Sequence, residues 1–439
     1  MKNVCRSLLG VLIVLVVTSC QKVPGDTHVL LIPPDRALSA DTMPVIYDTA
    51  NVAKGALQQA IDGSADGDTL LLQAGIYYGS PQPFTDPLCG NCLEHKTAVS
   101  ASTGLVIKDK SITIIGRSKD STILVTGAGY GVYIENSPES HLVNLRITGG
   151  LRDLDGNATD AAVVARNSRV YIDRCAMADN THRLDSVIVG IGGVFGREGA
   201  ELYLSDCSII NNGWDGVALY RGAAAVITDC IIDKGRGAGI GVTWDAHCVA
   251  TRNRISGYWK GIGAFGTSTV IAHNNAVFDN LGWGIIGTGQ SYLDAANNVV
   301  FHNGNCGLAP WSEESRGRFV NNIVTENGWR DEWVCPCVGV WNYGKRENWQ
   351  FLNNLVWNNK AGNYQDMPDI TGKDGNISAD PLFVGSGDFH LQSGSPAIDA
   401  GWKEVTDHDG SPSDLGIYGG TSNGVFLLPR QPAHFILTK

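Results

Sequence analysis

Charge is scarce in this chain: 18% of its 439 residues are Asp, Glu, Lys or Arg, the net charge is −11, and no basic run appears. A nucleic-acid partner is thereby excluded, because such binding rests on neutralising phosphates with clustered Lys and Arg. The one long apolar stretch, Leu8 to Val17, falls short of the roughly 20 residues that a membrane-spanning helix needs. Between residues 193 and 354 there is neither a helix-length periodic segment nor a leucine ladder, which excludes helical and leucine-rich repeats.

What stands there instead is a short pattern that returns about every 23 residues. A glycine and an aliphatic open each copy: Gly193-Val194, Gly216-Val217, Gly239-Ile240, Gly261-Ile262, Gly284-Ile285, Gly307-Leu308 and Gly339-Val340. A second column carries Asp206, Asp229, Asn253, Asn275, Asn298, Asn322 and Asn354. A unit this short cannot bury its own apolar side, so neighbours must stack. With β-rich runs such as Ala225-Val226-Ile227 and glycine at the turns, the expected fold is all-β, a parallel β-helix solenoid. The Asp/Asn column then becomes a ladder at one corner, bonding the backbone of a tight turn.

At the start of the chain, Lys2 and Arg6 precede the apolar run, and Val17-Thr18-Ser19-Cys20 follows it. This has the form of a secretory signal. The last four residues resemble a bacterial lipobox, which implies lipidation at Cys20 and an outer-membrane anchor in the cell envelope. The segments expected are a signal peptide over 1–19, a tether over 20–48, a β-helix domain over 49–424 and a tail over 425–439. Within the domain, Ala53 to Ile61 reads as a short amphipathic helix, followed by Asp66-Gly67-Asp68 and the apolar Thr69 to Leu72. Near the far end stand Asn376 to Gly401 and Asp414-Leu415-Gly416. With the repeats between them, these segments resemble the secreted right-handed parallel β-helix proteins of the pectate-lyase-like superfamily. The resemblance implies a right-handed coil whose first turn is closed by an N-terminal capping helix. That architecture hosts lyases, hydrolases, epimerases and adhesins, and no catalytic residue is carried over.

Of the 11 cysteines, Cys175, Cys207 and Cys230 read as a buried stack of small hydrophobes. Cys89, Cys92, Cys335 and Cys337 belong to loops, with spacings unlike a paired CxxC zinc site. Cys306 falls close enough in coil register to pair with Cys337 or Cys335 in a disulfide. Asp153, Asp155, Asn157 and Asp160 share one glycine-containing loop, a set of hard ligands that suits calcium, although the glycine comes too early for an EF-hand.

Side chains placed on the repeat give two aromatic rails. Trp214, Trp259 and Trp283 precede the glycine column, while Tyr220, Trp244, Phe265 and Trp311 follow the strand. Rings along a groove suit sugar faces. Asp215, Arg236 and Lys260 share the first rail; Glu198, Arg221 and Asp245 share the second, with the two carboxylates expected roughly 9 to 10 Å apart about the guanidinium. The loop from Gly328 to Pro336 is an insertion beside the groove, and His182 lies in another. The expectation is a monomer acting on a polysaccharide, with a uronate lyase or C5-epimerase leading and a glycoside hydrolase or a non-catalytic glycan-binding scaffold behind. Lys260 is assigned as acid or base, Arg236 and Arg221 as carboxylate clamps, and Asp215 as their orienting partner. Glu198, Asp245 and the rings are assigned to substrate binding.

Overall fold

A computed structural model of the chain describes residues 29–35, 55–88, 97–184, 187–332 and 334–420. The signal, Cys20, Cys89, Cys92, Trp333 and the tail lie outside the described residues, as do the side chains of residues 182–189, His182 among them.

Each coil contributes one strand to each of three parallel sheets. Val217–Leu219 belongs to the third sheet, Ala224–Thr228 to the first and Ile231–Asp233 to the second, and Ala238–Val242 returns to the third one level on. The sheets hold 12, 11 and 12 strands, the last including an antiparallel hairpin at its N-terminal end. This is the right-handed parallel β-helix. Strands of three to five residues can turn so sharply because single residues at the corners adopt the left-handed conformation. Between the first and second sheets these are Asp206, Asp229, Arg252, Asn274 and Asn297, with φ from 52 to 56°. Asn and Asp tolerate that region best, which explains their recurrence.

The corner ladder itself sits one residue further on. Asn253, Asn275, Asn298, Asn322, Asn354 and Asn376 are buried, each Nδ2 donating to the next Oδ1 at 2.9–3.1 Å. Asn253 Nδ2 also donates to the Ile227 carbonyl, and its Oδ1 accepts from the Cys230 N–H. Every polar atom of the amide is thus paired, which removes the cost of about 1–3 kcal/mol per unsatisfied buried group. The sequence column therefore mixed two registers. Asp206 and Asp229 are left-handed corner residues, and the positions equivalent to Asn253 in those coils are Cys207 and Cys230, buried as expected. A second ladder, not foreseen, runs through Asn280, Asn303, Asn327 and Asn359 at the next corner.

The interior is filled by aliphatics facing inward from all three sheets, among them Ile209, Ile232, Ile255, Val277 and Val300. The helix Ala56–Gly63 closes the N-terminal end, burying Leu57 and Ile61, and the Gln58 amide exchanges hydrogen bonds with the backbone of Val106. Val29–Ile32, expected within the tether, is instead the first strand of the first sheet, paired parallel with Thr69–Leu72. Its run Val-Leu-Leu-Ile covers an edge that would otherwise be open. At the other end Phe389, Ala397 and Leu415 cover the outer side of the second sheet.

Candidate active site

The outer face of the third sheet carries the expected rails, and most of it is roofed. Over its N-terminal coils Phe84, Tyr130, Tyr133, Val164, Phe195, Ala218 and Tyr220 form one apolar cluster. This cluster is sealed by an ionic network. Arg197, with 0% of its surface exposed, donates to Asp86 at 2.8 Å, Thr159 at 2.7 Å and Glu198 at 2.7 Å. Arg221 also donates to Glu198, at 2.6 Å, and its guanidinium lies 5.4 Å from the Trp244 ring centre. Over the C-terminal coils Trp283, Ile286, Cys306, Ala309, Cys335, Val338 and Trp341 form a second apolar cluster, with Trp259, Phe265 and Trp311 at its margin.

Between the roofs lies a strip of small residues that includes Ala238 and Gly241. Asp215, Ala238, Lys260 and Trp283 occupy one outward column, set by the pairings of Val217 with Ile240, Ala238 with Lys260 and Lys260 with Trp283. Asp215 and Lys260 are thus two strand spacings apart, about 10 Å along the coil axis, with only the Ala238 methyl between them. A β-carbon on Gly241 would meet nothing nearer than the Ala238 methyl at 3.4 Å and Asp215 Oδ2 at 3.6 Å. The carboxylate therefore lies within van der Waals reach of a side chain placed at Gly241. At the far wall the Phe265 ring lies on Gly263, and the Lys260 ammonium sits 5.8 Å from its centre and 5.6 Å from that of Trp283.

The electrostatics follow from this recess. Burial pushes the Asp215 carboxyl up to about 6, although it accepts the Ala238 N–H at 2.6 Å and feels the Lys260 charge. Burial likewise draws Lys260 below the usual ammonium range, against the pull of Asp215. Along the corner leading into the sheet stand cations over indoles: Arg152 and Arg236 over Trp214, at 5.3 and 5.7 Å, and Arg330 over Trp259 at 5.0 Å. Arg330 comes from the insertion, as expected of that loop, while Trp329 turns outward to donate to the His302 carbonyl.

Several expected site residues play other parts. Tyr220 and Trp283 are only 7% and 2% exposed, so they build the roofs rather than offer a platform; Trp214, at 36%, is the open ring. Glu198 is held by Arg197 and Arg221, so neither it nor Arg221 is arranged as a substrate clamp. Glu198, Arg221 and Trp244 are left-handed corner residues of successive coils, and Asp245 stands one place past that column, accepting the Gly222 N–H. The expected carboxylate, guanidinium, carboxylate trio is therefore not a single row. Arg152 was missed because its loop precedes the regular repeats.

Cys306 and Cys335 are buried thiols with sulfurs 3.4 Å apart, not bonded to each other, while Cys337 donates to the Arg330 carbonyl. The Cys306 contact draws the Cys335 thiol down, and burial pushes Cys306 up. The calcium loop does not close into a cage. Asp153 accepts the Ser102 N–H and Oγ–H, while Asp155 turns away to the N–H groups of Ser100 and Asn157. Asp153 and Asp160 alone converge, over the space left by Gly129. Burial and the neighbouring Asp153 push Asp160 up to about 8. Among the described residues no group of three or more His, Cys, Asp or Glu is arranged to hold a metal.

The family described as the right handed beta helix region matches residues 99–243 and 192–356. No curated protein matches the sequence significantly. Among solved structures, a mannuronan C-5 epimerase A-module from Azotobacter vinelandii is 15% identical over 74% of this chain and 95% of its own, with a TM-score of 0.44. A pectate lyase is 13% identical over 90% of this chain and 97% of its own, also at 0.44. The catalytic unit of an alpha-1,3-glucanase from Streptomyces thermodiastaticus is 12% identical over 75% and 70%, at 0.32.

Proposed function

Since the chain belongs to the right-handed β-helix family, we propose that it is a polysaccharide-active enzyme that removes the proton alpha to the carboxylate of a uronate residue, as a lyase or a C5-epimerase. One observation carries this reading: Asp215 and Lys260 stand in one outward column on either side of Ala238, with displaced proton affinities. A carboxyl near 6 is largely ionised at neutral pH yet basic enough to take a proton. This makes Asp215, expected from sequence to be an orienting partner, the base, and takes Lys260, expected as acid or base, as the acid.

Asp215 takes the C5 proton, and the electron pair moves into the substrate carboxylate. Arg236, Arg152 and the Lys260 charge neutralise that developing dianion. In a lyase the pair then returns to form the C4–C5 double bond as the C4–O bond breaks, and Lys260 protonates the departing oxygen. In an epimerase Lys260 instead returns a proton to C5 from the opposite side. A hydrolase would need two carboxylates in the cleft; Asp215 has a lysine opposite it, and Glu198 and Asp245 are committed elsewhere. We extend to this enzyme the anchor at Cys20 and the outer-membrane location, supported by the apolar run and Val17-Thr18-Ser19-Cys20.

The test is incubation with a panel of uronate and neutral polysaccharides, following unsaturated-product absorbance, deuterium exchange from solvent into C5, and reducing ends. Unsaturated product or exchange on uronates alone is expected. New reducing ends without unsaturation would mean a hydrolase, and retention without any product would mean a binding scaffold.

A further inference from the structure

A second cleft, of about 480 Å³, lies at the C-terminal end of the first sheet, lined by Arg346, Trp349, Gln350, Phe351, Leu352, Asp374, Trp402 and Glu404. The sheet ends at the strand Trp349–Leu352, and the cleft runs along it. It is on a different sheet from Asp215 and shares no residue with that site.

Its side chains are fixed rather than loose. The Arg346 guanidinium lies 4.9 Å from the Phe351 ring centre and donates to the Trp349 carbonyl, which the backbone of an added strand would otherwise use. On the other wall the Trp402 backbone N–H donates to Asn321 Oδ1 at 2.8 Å, and the residue is half-buried. Asp374, Glu404 and Gln350 are exposed at the rim.

We propose that this cleft is a second carbohydrate-binding site, one that takes an uncharged sugar. An indole face receives the C–H side of a pyranose, while planar carboxylates, an amide and a guanidinium at the rim suit its hydroxyls. Two carboxylates against one arginine already engaged with Trp349 disfavour a uronate here, opposite to the cation-rich approach to Asp215. The site would hold a neutral stretch of a mixed polymer or a neighbouring glycan, and it stands independently of the reaction at Asp215.

The test is affinity electrophoresis and calorimetry of the full-length protein with cellohexaose, xylohexaose, mannohexaose and a uronate hexamer. Trp402→Ala is expected to weaken binding of a neutral hexaose by about tenfold or more, with uronate binding unchanged. Glu404→Gln, an exposed substitution that leaves folding intact, should weaken the same ligand by a smaller factor. The proposal is overturned if no neutral hexaose binds, if both variants bind it as the parent does, or if an extended basic peptide binds there and displaces it.

Discussion

The two roofs over the third sheet cover the same repeating backbone by opposite means. The N-terminal one is locked by charge: Arg197, Asp86, Glu198, Arg221 and Arg166 interlock around Tyr130. The C-terminal one is locked by rings and sulfur, with Trp283, Trp311 and Trp341 in mutual contact above Cys306 and Cys335. The strip between them has neither, because Ala238 and Gly241 are too small to build a roof. The charged groups beside this strip are buried among its neighbours, and that burial shifts their proton affinities.

The largest effects are expected where chemistry depends on that strip. Asp215→Asn should lower turnover by about 10²–10⁴-fold, the usual range for losing a general base. In the parent, kcat/KM should climb with pH through about 6 as Asp215 ionises, and the Asn variant should lose that limb. A retained limb would remove Asp215 from the base role.

Next comes the charged roof. Replacing one partner of a buried pair leaves the other uncompensated, so Asp86→Ala or Arg197→Met should destabilise by about 3–5 kcal/mol in urea unfolding. Either change costing less than the conservative Trp311→Phe in the ring roof would break the contrast between the two.

Filling the strip gives a third test. Gly241→Leu adds bulk beside Asp215 Oδ2, 3.6 Å from the new β-carbon, at a position where the backbone imposes no left-handed strain. Turnover should fall at least tenfold while the melting temperature moves by only a few degrees, a change of about 1 kcal/mol or less. A variant with full activity would place the substrate elsewhere.

The thiol pair offers a smaller effect. Mild oxidation followed by peptide mapping should yield a Cys306–Cys335 disulfide and leave Cys337 free, because the two sulfurs already touch. Recovery of Cys306 joined to Cys337 would contradict the packing of this roof.

The smallest effect concerns Asp160, under the charged roof. Its folded carboxyl keeps a proton to about 8, against 3.8 for the free group. The unfolded chain releases that proton first, so this group's contribution to stability is full below pH 4 and is lost as pH rises to about 8. Asp160→Asn should flatten that slope, and chelators should leave the melting temperature unchanged. A chelator-induced drop would restore calcium to the Asp153 loop.

The repeat length, the parallel coil, the capping helix and the stack of cysteines were legible in the sequence, because burial of one side of a short unit repeats wherever the unit does. The shared column of Asp215 and Lys260, two coils apart, was also legible there, since outward columns keep the register of inward ones. What failed was any statement that turned on a shift of one residue. Asp245 against Trp244, and Asp229 against Cys230, differ by one place, and at a left-handed corner one place decides whether a side chain caps a turn, faces a neighbour or enters the core.

Periodicity determined which residues share a column, because stacking at the strand spacing admits few alternatives. Only the tertiary structure decided which columns are open. The roof over Arg197 is built from segments more than 30 and more than 100 residues away in the chain, at Thr159 and Asp86. The burial that raises the Asp215 proton affinity likewise depends on how neighbouring coils pack around it rather than on any local pattern.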